Sequence, residues 1–138
     1  MENNANNLKK PIKSYQDLLV YQNTYKAMLI VMKEIVPRLP KEEKFDLTDQ
    51  MRRCCKGIPA LIAEGFGKRY QIRNWHKYLE DAIGEMNEIQ HHLDVCIDVY
   101  ENYVNIEKCK EVKEIYNISA KQAYKLKNAW QNFHEKRQ

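Results

Sequence analysis

Core-type residues recur along three stretches of the chain with alternating spacings of three and four residues. Such a pattern keeps to one side of an α-helix and faces a neighbouring helix. The first stretch comprises Leu18, Tyr21, Tyr25, Met28, Met32 and Ile35. The second comprises Trp75, Leu79, Ala82, Met86, Ile89, Leu93, Cys96 and Tyr100, and the third Cys109, Val112, Tyr116, Ser119, Ala123, Leu126, Trp130 and Phe133. A strand would need a spacing of two, which no stretch keeps for long. The pattern therefore predicts long helices packed side by side.

Prolines, glycines and capping residues mark the ends of the first two helices. Ser14, followed three residues later by Asp17, resembles a capping box, so we expect the first helix to begin there. Pro37 ends that helix near Val36. The second helix is predicted to begin shortly after Pro40 and to run to about residue 64, where two glycines provide the stop.

Two further helices complete the predicted fold. The third spans about Arg73 to Tyr100, roughly 40 Å at 1.5 Å per residue. Asn105 caps the fourth, which continues to about Phe133. Because the connections are short, neighbouring helices must run antiparallel. We therefore predict an all-α, antiparallel up-down-up-down four-helix bundle formed by residues 14–134, preceded by a flexible tail of residues 1–13.

Pro59 lies inside the second helix, between Gly57 and Leu61. Proline has no N–H to bond the carbonyl four residues earlier, and its ring presses on that carbonyl. A regular helix interior loses about 3 kcal/mol at such a position. We therefore predict a kink or a local break in the second helix at Pro59.

Size and composition describe one globular domain. The chain has 138 residues, of which 43% are hydrophobic and 30% charged, which does not fit a disordered or collagen-like chain. No apolar run approaches the roughly 18 residues that a membrane-spanning helix needs, and the polar N-terminus lacks the apolar core of a signal peptide. The four cysteines show neither a C-x-x-C pair nor the spacing of a disulfide framework, which favours reduced thiols. We expect a cytoplasmic protein with no membrane partner.

Charge is distributed unevenly, although the net charge is only +4. Residues 52–77 contain one acid and seven cations, and residues 80–107 contain eight acids and no Lys or Arg. Tyr70 and Trp75 lie among the cations, where aromatic rings can stack on unpaired bases. The alternative is a solvated surface whose cations pair with the acids of the third helix. The predicted phosphate contacts are Arg52, Arg53, Lys56, Lys68, Arg69, Arg73 and Lys77.

Catalytic and metal-binding motifs are weak. Glu88 and His91 have the E-x-x-H spacing of di-iron bundles, but that site needs a second copy and acids from other helices. The glycines near residue 65 lack the length and the Lys-Ser/Thr of a phosphate-binding loop. Cys96 and Cys109 occupy core positions, where a thiol is inert. We expect no enzyme activity, no cofactor and no metal site; a metal or redox bundle is the alternative that elemental analysis would test.

Apolar residues also cover more than one face of the helices, which is more than an isolated bundle needs. A second buried surface follows naturally from self-association. The extra positions are Leu19, Val20, Leu29, Ile30 and Val31 in the first helix and Ile83, Val95, Ile97 and Val99 in the third. We therefore predict a homo-oligomer.

Several motifs resemble the signature of the 23S rRNA intervening-sequence protein family. They are Ser14-Tyr15-Gln16-Asp17-Leu18, Tyr21-Gln22, Pro40-x-x-Glu43, Leu47-x-x-Gln50-x-Arg52-Arg53, Ile58-Pro59-Ala60 and Ile62-Ala63-Glu64-Gly65. The resemblance covers about residues 14–133. The family pattern around the proline usually reads Ser-Ile-Pro-x-Asn-Ile-Ala-Glu-Gly, and this chain has Gly57 for the serine and Leu61 for the asparagine.

The resemblance implies an antiparallel four-helix bundle that assembles into a homopentamer. It also implies a relation to the accessory variability determinant of diversity-generating retroelements, which binds nucleic acid and a reverse transcriptase through a basic surface. By position, Arg52, Arg53 and Glu64 match the family motif. Lys68, Arg69, Arg73 and Lys77 follow from local charge instead.

Together these observations favour a non-enzymatic, oligomeric bundle that binds RNA or DNA through its cations, as an accessory to a reverse transcriptase or another nucleoprotein machine. The alternative is a protein-interaction scaffold, in which the acidic third helix of one subunit pairs with the basic second helix of another. Charge reversal at Arg73 separates the two, because it would break the oligomer only in the second case.

Overall fold

The computed structural model describes residues 11–137, with side chains described for residues 11–130. Within that range the chain forms four α-helices and no strand. Their bounds are α1 Leu19–Ile30, α2 Leu47–Gly67, α3 Ile72–Val99 and α4 Ile106–Arg137. The helices α2, α3 and α4 pack in sequence, and α1 contacts both α2 and α4. The predicted all-α four-helix bundle is confirmed; the predicted flexible tail falls mostly on residues 1–10, outside the described residues.

The helices α2 and α3 run antiparallel, as their contacts show. Near the start of α2, Met51 Sδ lies 3.6 Å from Cys96 Sγ close to the end of α3. Near the end of α2, a Cβ added to Gly65 would lie 3.0 Å from the ring of Trp75 at the start of α3. Residues 68–71 therefore form a tight turn between two long antiparallel helices.

The predicted capping box is present, but it caps a different element. The Ser14 hydroxyl accepts the Gln16 N–H at 3.0 Å, and the Asp17 carboxylate accepts the Ser14 N–H at 3.0 Å. The turn that these bonds close is a 3₁₀ turn, Tyr15–Asp17, and the α-helix begins afterwards at Leu19. The expectation that the first α-helix starts directly at Ser14 is wrong, because three residues lie in the tighter turn first.

The boundaries of the next two segments also differ from the prediction. After α1 the chain continues as a π-helical turn, Val31–Ile35, and a 3₁₀ turn, Val36–Arg38. A further 3₁₀ turn, Lys41–Glu43, precedes α2, which begins only at Leu47. The second helix therefore starts later than predicted.

The second helix ends at Gly67, one of the two glycines predicted to stop it, three residues later than the predicted end near residue 64. No glycine has a positive φ in the described part of the chain. Gly65 serves close packing instead: a Cβ there would lie 2.5 Å from Tyr78 Cβ, which no side chain could tolerate without movement. Because Gly65 has no side chain, α2 and α3 can approach each other closely beside the turn.

Pro59 is buried within an α2 that is helical on both sides of it. The predicted local break is absent, and a bend at Pro59 stays a prediction. Because Pro59 lacks an N–H, the carbonyl of Cys55 has no helical donor four residues ahead.

The core confirms the predicted faces of α3 and α4. From Trp75 to Cys96, all seven predicted positions of α3 are fully buried. In α4 the positions from Cys109 to Ala123 are fully buried, and Leu126 and Trp130 pack against the core. The turn of residues 68–71 leads directly into α3 and is hydrogen-bonded to Trp130 of α4, so both of these well-packed helices hold it in place.

The predicted core face of the first helix is only partly confirmed: Leu18 and Ile35 are buried, whereas the four predicted positions between them are half-buried or exposed. The interior is filled by Val20, Thr24, Ala27 and Val31, one position away from the predicted set. The α1 stripe, which we define as Tyr21, Tyr25, Met28 and Met32, lies at the rim or outside. The ring of Tyr21 stacks on Tyr15, with centroids 4.8 Å apart, and on Tyr25, with centroids 5.8 Å apart. Tyr25 is 45% exposed, so α1 presents an apolar face to solvent.

Candidate nucleic-acid interface

The seven predicted cations separate into two groups. We call Arg52, Arg53 and Lys56 the α2 cluster, and Lys68, Arg69, Arg73 and Lys77 the turn cluster. From residue 52 to residue 68 a helix rises about 24 Å at 1.5 Å per residue. The two clusters therefore form separate contact areas rather than one compact patch.

The α2 cluster is exposed, but its members differ in their partners. Arg53 Nη2 lies 2.6 Å from Asp49 Oδ2, one helical turn earlier. Arg52 and Lys56 form no ion pair with the side chains described, residues 11–130. The positive charge that an external anion would meet on α2 therefore comes chiefly from Arg52 and Lys56.

In the turn cluster, Lys68 is placed by an aromatic residue. Its Nζ donates a hydrogen bond to Tyr78 Oη at 3.1 Å and lies 5.3 Å from the ring centroid. The hydrogen bond raises the pKa of Lys68 above its usual value. The ammonium group therefore keeps its charge, while its position is set by α3.

Arg69 is half-buried and holds the turn together. Its guanidinium donates to the Phe66 carbonyl at 3.0 Å and lies 4.0 Å from the Phe66 ring centroid. It also donates to Tyr70 Oη at 3.3 Å. The Arg69 carbonyl accepts the indole N–H of Trp130, at 3.1 Å, from α4. Arg69 therefore has a structural role as well as a charge.

Arg73 and Lys77 lie four residues apart on the outer face of α3, and both are exposed. Lys77 Nζ lies 3.7 Å from Asp81 Oδ2. Arg73 has no ion pair among the side chains of residues 11–130. Arg73 is therefore the most available guanidinium beside the turn.

The two predicted stacking aromatics have opposite environments. Tyr70 is 74% exposed at the tip of the turn. Trp75 is fully buried and makes edge contacts with Phe66 and Trp130. The proposed stacking role of Trp75 is wrong, because the tryptophan is part of the core; Tyr70 remains available.

Two acids of α3 pair with lysines of α4, and one pairs with a predicted cation. Glu80 Oε1 lies 3.0 Å from Lys127 Nζ, and the Asp94 carboxylate pairs with Lys113. The hydrogen bond from Lys127 lowers the pKa of Glu80. Of the seven cations, Lys77 pairs with an α3 acid. Glu64, which matches the family motif, is exposed and forms no ion pair within the described side chains.

All four cysteines are buried, which confirms the core positions predicted for Cys96 and Cys109. Burial raises the pKa of Cys55 and Cys109 to about 11, and that of Cys96 to about 12. Their thiols are therefore protonated at neutral pH. A grouping that the sequence did not suggest brings Cys54 close to Glu85 and Glu88. Among the described residues no helix is long and apolar enough to cross a membrane.

A comparison with curated proteins found no match. A family model described as 23S rRNA-intervening sequence protein matches residues 16–134, which is most of the chain. The match includes α1, α2, α3, residues 106–134 of α4 and both cationic clusters. The chain belongs to the 23S rRNA-intervening sequence protein family.

Proposed function

We propose that this protein is a non-enzymatic homo-oligomer that binds RNA through the two cationic clusters. The observation that carries the proposal is the lack of carboxylate partners for Arg52, Lys56 and Arg73 among the side chains of residues 11–130. An exposed cation without an internal partner retains its attraction for phosphate. The family name links these proteins to insertions in ribosomal RNA, which supports RNA over DNA.

The turn provides the geometry for a single strand. Lys68 and Arg73 flank Tyr70, whose ring is exposed at the tip. Phosphates can contact the cations while an unpaired base stacks on the tyrosine, a combination that needs no base sequence. Arg69 positions Tyr70 by donating to its hydroxyl, so this contact area is ordered before the nucleic acid arrives.

Self-association would repeat these contacts. The α1 stripe leaves an apolar line on the surface of the protomer, and covering it with another copy would remove that area from water. Several weak clusters on one assembly gain affinity without new contacts. The family resemblance favours a pentamer. A Tyr25→Asp variant should shift the mass measured by light scattering toward the monomer, whereas Tyr124→Asp, on the exposed face of α4, should not.

Salt dependence tests the RNA proposal. The double variant Arg52→Ala/Arg73→Ala removes two cations without carboxylate partners, so the slope of log affinity against log salt should become shallower by about 0.7 per lost contact with single-stranded RNA. The matched control is Lys26→Ala/Lys121→Ala, which removes the same charge from exposed positions outside the clusters. Equal slopes for both double variants would contradict the proposal. Single-stranded DNA in parallel separates RNA preference from general anion binding.

A protein-interaction scaffold is the second candidate, favoured by the exposed apolar line on α1. In that case the basic α2 of one copy meets the acidic α3 of another. An Arg52→Glu variant, which reverses an exposed charge on α2, should then lose oligomers, and the RNA affinity of the wild type should be negligible at moderate salt. A reverse transcriptase as partner rests on the family resemblance, and pull-down of a purified enzyme with this protein tests it.

A further inference from the structure

Three potential metal ligands converge between α2 and α3. The sulfur of Cys54 and one carboxylate oxygen each of Glu85 and Glu88 all lie within 4.8 Å of one another. Cys54 is 3% exposed and points to α3, where its thiol donates to the Glu85 carbonyl at 3.1 Å. Glu85 is half-buried and Glu88 is exposed, so the group is closed on the core side and open toward solvent.

A buried histidine that lacks a hydrogen-bond partner for one ring nitrogen lies next to this group. His92 is 7% exposed, and its Nε2 has no hydrogen-bond partner in the described part of the molecule. That nitrogen lies 3.8 Å from Glu88 Oε2. Leaving a buried polar atom without a partner is unfavourable, so an additional ligand at this position would satisfy it. Because Glu85, Glu88 and His92 are spaced by three and four residues, they lie on one face of α3.

The electrostatic surroundings also favour a cation. Elsewhere on α3, Glu80, Asp81 and Asp94 each have a lysine within 4.0 Å. Glu85 and Glu88 have no lysine or arginine partner among residues 11–130. The fold therefore neutralises the acids on both sides of this pair and leaves the pair itself without a Lys or Arg.

We propose that Cys54, Glu85, Glu88 and His92 form a zinc site that joins α2 to α3. The mixed sulfur, nitrogen and carboxylate set is the one that Zn²⁺ uses in proteins, in tetrahedral geometry. Ligand atoms around a tetrahedral zinc lie about 3.5 Å apart, given bonds of about 2.0 to 2.3 Å. The 3.8 Å separation of His92 Nε2 and Glu88 Oε2 meets this closely. His92 lies outside the 4.8 Å group formed by the other three ligands, so side-chain movement of His92 and the two glutamates is needed to bring all four ligands to one ion.

Binding exchanges a proton for the metal. The Cys54 thiol gives up its hydrogen bond to the Glu85 carbonyl, its S–H bond breaks, an S–Zn bond forms and the proton goes to solvent. The ion remains Zn²⁺ throughout, so no oxidant or reductant is involved. This site departs from the sequence-based expectation of no metal, because only the packing of α2 on α3 brings Cys54 to the acids.

The test uses the full chain, freed of metal with a chelator and carrying no histidine tag. Titration with Zn²⁺ against a chromophoric chelator should show one tight site per chain. The Glu88→Gln and His92→Gln variants should bind Zn²⁺ at least about tenfold more weakly. Two control variants carry the same chemical changes at exposed positions: His91→Gln, next to His92, and Glu101→Gln, beyond the end of α3. Both should bind like the wild type.

Cobalt reports the sulfur directly. Co²⁺ in the wild type should give a thiolate-to-metal charge-transfer absorption that Cys54→Ser abolishes and Cys55→Ser retains. Weak, substoichiometric Zn²⁺ binding, or equal affinity in Glu88→Gln, His92→Gln and His91→Gln, overturns the proposal. So does a cobalt absorption that survives Cys54→Ser. None of these variants changes a cation of the α2 or turn clusters, so the zinc result and the RNA result stand or fall separately.

Discussion

The turn of residues 68–71 and the middle of α3 carry opposite charges, and the fold treats them differently. The acids of α3 receive lysines from α4, as at Glu80 and Asp94. The cations of the turn receive aromatic rings and backbone carbonyls, as at Lys68 and Arg69. A ring or a carbonyl positions a cation without cancelling its charge. Positive charge is therefore held in place but remains available to an outside anion, whereas the negative charges of Glu80 and Asp94 are paired within the protomer.

The largest effect is expected where the turn is anchored. A Gly65→Ala substitution places a Cβ 2.5 Å from Tyr78 Cβ, which should cost about 1 to 3 kcal/mol of unfolding free energy by overpacking. Gly84→Ala is the matched control, because nothing lies within 4 Å of its added Cβ. Replacing glycine in a helix interior should there stabilise the protein by about 0.5 to 1 kcal/mol. Denaturant unfolding measures both; equal effects would show that the close approach at Gly65 is not limiting.

Two arginines of the turn cluster should separate stability from binding. Arg69→Ala removes a hydrogen bond to the Phe66 carbonyl and a contact with the Phe66 ring, so it should destabilise the protein by about 1 to 2 kcal/mol. Arg73→Ala should change stability by less than about 0.5 kcal/mol, yet weaken RNA binding at low salt. Thermal unfolding and a binding titration on the same samples check this. A destabilised Arg73→Ala with unchanged RNA affinity would reverse the assignment.

The smallest effect is expected on the acidic side. Lys127→Ala removes the partner of Glu80, an exposed pair whose contribution should be below about 1 kcal/mol. Because Lys127 lowers the pKa of Glu80, the pair stabilises the fold above the usual glutamate pKa of about 4.3 and ceases to do so as the pH falls through the lowered value. The difference between wild type and variant should shrink in acid and in high salt. Lys125→Ala, exposed and without an ion pair in the described region, is the control, and a difference that persists in acid would contradict the pairing.

The sequence predicted α3 and α4 well because their buried positions are nearly all apolar. It was only partly right for α1, where the interior contains Thr24 and Ala27, while the predicted tyrosines and methionines are half-buried at the rim of the core or, for Tyr25, exposed. Thr24 is tolerated inside because its hydroxyl donates to the Val20 carbonyl at 2.8 Å within its own helix. A threonine whose hydroxyl forms a hydrogen bond within its own helix looks polar in the sequence but can be buried in the fold. Periodicity alone therefore placed the centre of the α1 core face one position away from where it lies.

The candidate site was predictable only in part. The partners of Arg53 and Lys77 lie four residues away, at Asp49 and Asp81, and the sequence contains that information. The partners of Arg69 depend on the turn and on α4, which no local pattern reveals. The same limit applies to Cys54 and its two glutamates, which are about thirty residues apart in the chain and meet only when α2 packs on α3.

The bond from the Trp130 indole to the Arg69 carbonyl has a consequence for biosynthesis. Translation makes the loop after α2 long before it makes Trp130, the residue that secures it. A nascent polypeptide whose translation stops before residue 130 would already carry all seven cations. It would lack the hydrogen bond from Trp130 to the Arg69 carbonyl that fixes the loop backbone. The end of the bundle that carries the turn cluster is thus completed last, so an incomplete chain still on the ribosome would present these charges without their final arrangement.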